Sequence, residues 1–351
     1  MKFSWSQDEA LARATSQPLS IIQGPPGTGK TSCGAAIVLS FLLRPHAPTP
    51  RILVCADSNV AADTLYDQIW TLMPSHLRQL VVRVGEGSAW CLPRASTLER
   101  EEYFKQFKQQ IDRADVVVST CIGSRHELVI EKKIEVVLID EATQSTEPST
   151  LCPLESDSIR HVVFLGDQNQ LPPTVLSQCP DLSVSLMERL IDEGVHPVML
   201  LEQRRMHSVI ADFPCQEFYD GRLRNWTCDE ELSPVEPCGT AEFYNVSSGH
   251  GGNESRRVSS VRNDLEIRQL KDRLAEIVRL PQNQNFTVGV LTPYSAQKSA
   301  LKAILGDAGL LSGRRITVDT IDGFQGAEKD IILFSATRSN DCGDIGFLSD
   351  W

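Results

Sequence analysis

The fold is decided by one stretch, which reads Gly24-Pro25-Pro26-Gly27-Thr28-Gly29-Lys30-Thr31. It matches the pattern G-x-x-x-x-G-K-[ST], and it lies between an apolar segment, Leu19–Gln23, and a helical segment, Thr31–Leu43. In that setting the glycines allow backbone N–H groups to wrap a phosphate, and the start of the helix attracts the same anion. The stretch therefore predicts a nucleoside triphosphate site, in preference to a plain turn before a helix.

Specific side chains in and beyond this stretch suit a triphosphate. Lys30 is expected to reach the β- and γ-phosphates, and Thr31 to ligate Mg²⁺. The apolar run Val136–Ile139 then ends in Asp140 and Glu141. Because carboxylates are seldom buried without a partner, this ending favours a second part of the same site over a polar loop. We expect Asp140 to hold Mg²⁺ and Glu141 to orient and deprotonate the attacking water.

A third apolar segment, His161–Leu165, ends in the polar run Gly166–Gln170. Open α/β sheets bind ligands at the carboxyl ends of their strands, so this run is expected at the same edge as the two carboxylates. Gln170 is a candidate for contact with a γ-phosphate. A plain turn that ends at Pro172 is the alternative that the local sequence leaves open.

The rest of the chain alternates short apolar segments with helical patterns, which is typical of an α/β fold. Several segments are apolar without alternation, as in a parallel sheet that is covered on both faces. The predicted strands are Leu19–Gln23, Arg51–Cys55, Val81–Val84, Asp115–Ser119, Val136–Ile139, His161–Leu165, Pro197–Leu200, Val288–Leu291, Ile316–Val318 and Ile331–Ser335. The predicted helices are Thr31–Leu43, Ser58–Thr71, Thr97–Arg113, Val184–Asp192, Asn263–Arg279 and Ala296–Leu305.

The length of 351 residues is enough for two domains. A second strand–helix series begins with Pro197–Leu200, so we expect one lobe at 1–196 and another at 197–351. The polar, Gly- and Ser-rich run 246–260 is predicted to be a mobile surface loop.

The composition excludes several classes of protein. The formal net charge is −12, which excludes a histone-like nucleic-acid binder but not a local basic groove. No segment approaches the run of about 20 apolar residues that a membrane helix needs, and the N-terminus lacks the apolar core of a signal peptide. We therefore expect a monomeric intracellular protein, in the cytoplasm or the nucleus, that contacts no membrane.

Together these segments resemble the superfamily 1B helicases of the up-frameshift branch, because the family's motifs occur here in the family's order. They are Ser6-Gln7, GPPGTGKT (24–31), ILVCADSNVAADTL (52–65), STCIGS (119–124), LIDEATQ (138–144), FLGDQNQLPPTV (164–175), LEQRRMH (201–207), FPCQEFYDGRL (213–223), TPYSAQ (292–297) and VDTIDGFQGAEKD (318–330). The resemblance implies two RecA-like P-loop lobes with parallel β-sheets flanked by helices. It also implies ATP hydrolysis with Mg²⁺, coupled to 5′→3′ movement along single-stranded RNA or DNA.

The resemblance further implies roles for single residues. Gln7 would read the adenine edge, Gln170 would contact the γ-phosphate, and Arg205 would stabilise transition-state charge there. Glu328 matches a glutamate beside the nucleotide. Contacts with the backbone of a single strand are implied for Ser58, Asn59, Thr120 and Thr320. Taken alone, Gln7 is better explained as a solvated residue at a helix start, and Arg205 as a helix cap or a partner of surface acids. Asn59 and Thr120 are then better explained as turn residues, and only the order of the motifs favours the functional roles.

The sequence departs from the family in two places. Arg204 stands where the family has a tyrosine that stacks on the base, and a guanidinium can lie flat on adenine. The family also continues past its RSN and GFLxD segments to a second arginine finger, whereas this sequence ends at Trp351. We therefore expect an incomplete second lobe. The family's stalk-like insertion is expected to be reduced to about residues 85–114, as a charged helical arm.

The sequence is compatible with three alternative functions. The first is an ATP-driven helicase or translocase, and the second is a catalytically impaired module that binds ATP and nucleic acid but lacks the second arginine finger. The third is an unrelated P-loop ATPase, which would share only the phosphate-binding stretch and Asp140-Glu141. The ordered motif series argues against the third.

Overall fold

The computed structural model describes residues 3–44, 48–85, 97–175, 179–226, 240–246, 254–257, 260–280, 285–311, 315–340 and 342–346. The chain divides into two compact units, Met1–Cys228 and Asp229–Trp351. The boundary predicted between residues 196 and 197 stays a prediction, because compact units and functional lobes need not coincide. Over the described residues, no helix combines the length and the apolar character needed to cross a membrane.

The first unit alternates helices and strands along most of its length. Its described helices are α1 (Trp5–Ser16), α2 (Lys30–Leu42), α3 (Asn59–Leu72), α4 (Thr97–Arg113), α5 (Glu127–Ile130), α6 (Glu147–Leu151), α7 (Leu186–Asp192) and α8 (Ser208–Phe218). Its described strands are β1 (Leu19–Gln23), β2 (Ile52–Ala56), β3 (Val81–Arg83), β4 (Val116–Thr120), β5 (Val136–Ile139), β6 (His161–Gly166), β7 (Val198–Met199), β8 (Glu202–Gln203) and β9 (Arg224–Asn225). All strands and helices predicted between residues 19 and 192 are present.

Seven of these strands form one parallel sheet in the order β3-β4-β2-β5-β6-β1-β7. The central strand β5 shows why its sequence is apolar at every position. Val136 and Leu138 pack into one hydrophobic cluster, and Val137 and Ile139 pack into another. Both faces are therefore covered by helices, which confirms the predicted α/β fold with a RecA-like parallel sheet.

Two features of the first unit differ from the prediction. The sequence pattern predicts that Pro197–Leu200 begins the second strand–helix series, but this segment forms β7, which pairs with β1 in the first sheet. Helix α1 was not predicted, because its buried face holds Ser6, Gln7, Ala10 and Ala14 and so lacks a strong apolar period.

The insertion predicted at about 85–114 contains α4, as expected, while residues 86–96 lie outside the described part of the chain. The end of this helix is not fully solvated. Phe107 and Ile111 are buried against the same cluster as the β5 side chains Val137 and Ile139.

The second unit contains a smaller sheet. Its described elements are β10 (Glu254–Arg257), β11 (Ser260–Asn263), α9 (Asp264–Arg279), β12 (Val288–Thr292), α10 (Ser295–Asp307), β13 (Ile316–Thr320) and β14 (Ile331–Phe334). The order β13-β12-β14 is parallel, and β10 pairs with β11 as an antiparallel ribbon. The prediction of a loop over 246–260 is therefore wrong for residues 254–257 and 260, while residues 247–253 and 258–259 lie outside the described part. Whether the second lobe is incomplete stays a prediction.

Candidate nucleotide-binding site

The phosphate-binding stretch joins β1 to α2, as the sequence predicts. Gly27 and Gly29 both have a φ of 76°, a left-handed conformation that glycine adopts without strain. The N–H of Gly24 donates a hydrogen bond of 2.8 Å to the carbonyl of Gly166, at the end of β6. A Cβ on Gly24 would lie 2.8 Å from Cβ of Lys30, so the loop closes tightly around the lysine.

Lys30 and Glu141 form an ion pair, with the lysine Nζ 2.8 Å from Oε2 of the glutamate. Their side chains are only 10% and 14% exposed. Burial lowers the pKa of Lys30, but the negative charges of Glu141, Asp140 and Asp167 outweigh burial and raise it overall. The ammonium is therefore kept charged, and a bound triphosphate would compete with Glu141 for it.

Asp140 lies at the end of β5 and is 4% exposed. Burial and the neighbouring charge of Glu141 raise the pKa of Asp140 to about 6, against the opposing effects of Lys30 and of a hydrogen bond from Thr31. The Thr31 hydroxyl and the Asp140 carboxylate are thus adjacent oxygen donors. Such oxygens suit Mg²⁺, which usually completes its shell with phosphates and water.

Glu141 is held in an unusual conformation by its neighbours. Its φ of 51° is rare for a residue with a side chain, and such strain is concentrated at functional sites. Nε2 of Gln144 donates a hydrogen bond of 2.8 Å to Oε2 of Glu141, the same oxygen that pairs with Lys30. Gln144 lies within the segment LIDEATQ, which by itself indicates no role for this glutamine. The one indication in the sequence is its position three residues after Glu141, since a turn of that length brings the two side chains together.

Gln170 is fixed by a buried aspartate, Asp167, whose role the sequence alone does not reveal. Nε2 of Gln170 donates to Oδ2 of Asp167 at 2.7 Å, and the Tyr219 hydroxyl donates to the same oxygen at 2.6 Å. Gln23 donates to the other oxygen, Oδ1, at 3.2 Å. Burial and the charge of Asp167 raise the pKa of Tyr219, so its hydroxyl stays protonated as a donor. The one sequence signal was an acid directly after the apolar strand β6.

Two residues implied to contact the base lie against consecutive loop residues. Gln7 is buried, and its Nε2 donates to the carbonyl of Thr28 at 3.0 Å. Its Oε1 accepts from the N–H of Ser4 at 3.0 Å, as part of the capping box of α1. The N–H of Arg204 donates to the carbonyl of Gly27 at 2.9 Å.

Arg205 also packs against the loop, since a Cβ on Gly27 would lie 2.7 Å from Cβ of Arg205. Its N–H donates at 3.0 Å to Oε1 of Gln203, a fully buried amide. The structure places Arg205 in the compact unit that carries the phosphate-binding stretch. Glu328 belongs to the second unit and is exposed.

Three of the residues implied for strand contact meet at one edge of the first sheet. Ser58 caps α3 directly after β2, and the neighbouring Asn59 accepts from Arg83 Nη2 at 2.9 Å. Thr120 ends β4, beside β2, and its hydroxyl accepts from the N–H of Gly123 at 2.9 Å. Thr320 makes the corresponding turn in the second unit, where the N–H of Gly323 donates to it at 3.3 Å.

Comparisons with known proteins agree with this geometry. One family model, described as AAA domain, matches residues 182–351. A second model with the same description matches the overlapping ranges 2–106 and 93–178. The chain is 32% identical to "ATP-dependent helicase upf1" of Schizosaccharomyces pombe, over 99% of this chain and 42% of the relative. It is also 32% identical to "Regulator of nonsense transcripts 1" of Caenorhabditis elegans, over 98% of this chain and 36% of the relative.

A solved structure of an arterivirus nonstructural protein 10 helicase with DNA aligns with 93% of this chain and 56% of its own, with 14% identity and a TM-score of 0.47. The present chain spans less than half the length of the two curated relatives. The family model that matches residues 2–178, about half of the chain, shows that the chain belongs to the AAA-domain family, and the chain is similar to the up-frameshift helicases.

Proposed function

We propose that the protein is an ATP-dependent helicase or translocase that moves 5′→3′ along single-stranded RNA or DNA. One observation carries the proposal. At the carboxyl edge of a RecA-like sheet, Lys30 and Glu141 form a nearly buried ion pair beside Asp140, and the loop that holds the lysine fits a phosphate. Relatives named as helicases support the choice of reaction.

ATP binding is proposed to rearrange the ion pair. The loop N–H groups and the start of α2 attract the phosphates, which replace Glu141 as partners of Lys30. Glu141 keeps its hydrogen bond from Gln144 and becomes available to orient and deprotonate water. Thr31 and Asp140 would hold Mg²⁺, which neutralises charge on the triphosphate when bound.

Other residues are proposed to act around this centre. Gln170, held by Asp167, contacts the γ-phosphate, and Arg205 stabilises the charge that develops during phosphoryl transfer. Gln7, Arg204 and Glu328 are proposed to lie beside the nucleotide.

The proposed strand contacts are hydroxyl and amide groups at Ser58, Asn59, Thr120 and Thr320. Such groups hold a nucleic-acid backbone without adding positive charge, which is compatible with a net charge of −12.

The test is ATP hydrolysis with and without poly(U) or single-stranded DNA, for the wild-type chain, Lys30→Ala and Glu141→Gln. We expect turnover that a single strand stimulates and that both variants lose, with ATP binding kept in Glu141→Gln. Equal turnover with and without a strand would contradict the proposal. No turnover by a folded, ATP-binding chain would favour a binding module without catalysis.

A further inference from the structure

Arg204 has an aromatic partner that its sequence position does not reveal. Cζ of its guanidinium lies 4.3 Å from the centre of the Trp226 ring. The short parallel strands β8 and β9 explain this contact, because Glu202 pairs with Arg224 and Gln203 with Asn225. One step further in the same register, Arg204 stands opposite Trp226.

The two residues are held in register by several hydrogen bonds. The N–H of Trp226 donates to the carbonyl of Gln203 at 2.9 Å. Nε2 of the same glutamine donates to Oδ1 of Asn225 at 2.6 Å and to the carbonyl of Met206 at 2.7 Å. The Gln203 side chain is fully buried, so this short ribbon is a rigid support for the stack.

The support is attached to the phosphate-binding loop, next to residues proposed to lie beside the nucleotide. The N–H of Arg204 donates to the carbonyl of Gly27, and Gln7 donates to the carbonyl of the next residue, Thr28. The ion pair of Lys30 with Glu141 lies at the phosphate end of the same loop. In the proposed nucleotide site, the phosphates lie at Lys30 and the base lies on the side of Gln7 and Arg204.

A guanidinium is planar and stacks on aromatic faces, but a long arginine side chain has many rotamers. The Trp226 ring removes much of that freedom, since a cation over an indole face is favourable. The indole is itself 48% exposed, so the stack forms at an accessible surface.

We infer that Trp226 is a positioning residue that holds the Arg204 guanidinium flat, so that the pair forms a stacking platform for the base of a nucleoside triphosphate. The inference rests on the proposed nucleotide site. It gives the planar but mobile guanidinium of Arg204 a fixed orientation at the position where the family has a tyrosine ring.

The test compares two ligands, ATP and inorganic tripolyphosphate, whose affinities are measured by calorimetry with Mg²⁺ on the full chain. We expect Trp226→Ala to lower the affinity for ATP about tenfold and to leave the affinity for tripolyphosphate unchanged, because only ATP carries a base. Trp226→Phe keeps an aromatic face and is expected to stay within about threefold of the wild type. Arg204→Ala is expected to lose as much affinity for ATP as Trp226→Ala. The double variant is expected to lose little more than either single variant.

The matched control is Trp70→Ala. Trp70 is also partly exposed and carries an arginine, with Cζ of Arg78 at 5.5 Å from the ring, but it lies near the end of α3. This variant is expected to bind both ligands like the wild type.

An equal loss of ATP and tripolyphosphate affinity in Trp226→Ala would overturn the inference, since it would show a structural role alone. An unchanged affinity for ATP in both Trp226→Ala and Arg204→Ala would overturn it as well. If the wild-type chain binds neither ligand, the nucleotide site itself fails and the platform fails with it.

Discussion

The carboxyl edges of the two parallel sheets are built alike but hold different groups. In the first unit, β5 and β6 are followed by the buried carboxylates Asp140 and Asp167, and Lys30 faces them from the start of α2. In the second unit, neutral hydroxyl groups join the ends of β12 and β14, and this junction is the neutral edge. The Thr292 hydroxyl lies 2.9 Å from the hydroxyl of Thr337.

A buried glutamine connects the elements of the neutral edge. Oε1 of Gln297 accepts from the N–H of Asn263 at 2.8 Å, and its Nε2 donates to the Ser335 hydroxyl at 2.9 Å. All three side chains are buried. Glu266 caps the network from α9, because its carboxylate accepts from the N–H of Thr337 at 2.9 Å.

The difference between the two edges indicates different roles, catalytic in the first unit and structural in the second. Buried charges are unfavourable without partners, so a charged edge points to a function that needs the charge. Buried neutral groups that satisfy one another fix a structure without such a need. We therefore expect changes at the charged edge to affect turnover and changes at the neutral edge to affect stability.

The largest expected effect is at the charged edge. Glu141→Gln keeps the shape of the side chain but removes the proposed base, so ATP turnover should fall about 10²–10⁴-fold. The free energy of unfolding should change less than turnover, because the amide oxygen still accepts from Gln144 and Lys30 keeps the nearby charges of Asp140 and Asp167. Single-turnover hydrolysis and urea unfolding of the same samples measure the two quantities. A variant that hydrolyses ATP at the wild-type rate would show that the two edges do not differ in this way.

The neutral edge should respond in the opposite sense. Gln297→Leu leaves the N–H of Asn263 and the hydroxyl of Ser335 without their partner, and each unsatisfied buried group costs about 1–3 kcal/mol. Thermal unfolding should therefore occur at lower temperature. Gln269→Leu, at an exposed position of α9, is the matched control and should unfold like the wild type. Equal stability of the two variants would remove the structural role assigned to this network.

The smallest expected effect concerns a feature that both edges share. Thr120 and Thr320 each end a parallel strand and accept a hydrogen bond from the N–H of a glycine three residues later. Removal of either hydroxyl, in Thr120→Val or Thr320→Val, should weaken single-strand binding about 2–10-fold, as expected for one hydrogen bond.

The serine variants at the same two positions keep the hydroxyl and should bind a labelled oligonucleotide like the wild type. Thr64→Val, on the exposed face of α3, controls for the loss of a hydroxyl elsewhere. Equal binding by all of these variants would show that both threonine hydroxyls only stabilise their turns and do not contact the strand.

The sequence predicted the parts of the fold and site that are encoded locally. Apolar runs identified β2, β4, β5 and β6 to within a residue or two, and the motif spacing predicted a nucleotide site at Lys30, Asp140 and Glu141. These signals depend on neighbours along the chain, which periodicity and motif spacing capture.

Contacts between distant segments could not be predicted in the same way. Tyr219 donates to Asp167 from 52 positions away, and Trp226 meets Arg204 only through the register of two short strands. The prediction that β7 belongs to the second series is wrong for the same reason, because the sequence of a two-residue strand does not indicate which sheet it joins.

The most direct test of the proposed motor is strand displacement from duplexes that carry a single-stranded overhang at either the 5′ or the 3′ end. The account predicts displacement that requires ATP, starts only from the 5′ overhang and is lost in Glu141→Gln. Displacement from both overhangs alike, or displacement by Glu141→Gln at the wild-type rate, would contradict it.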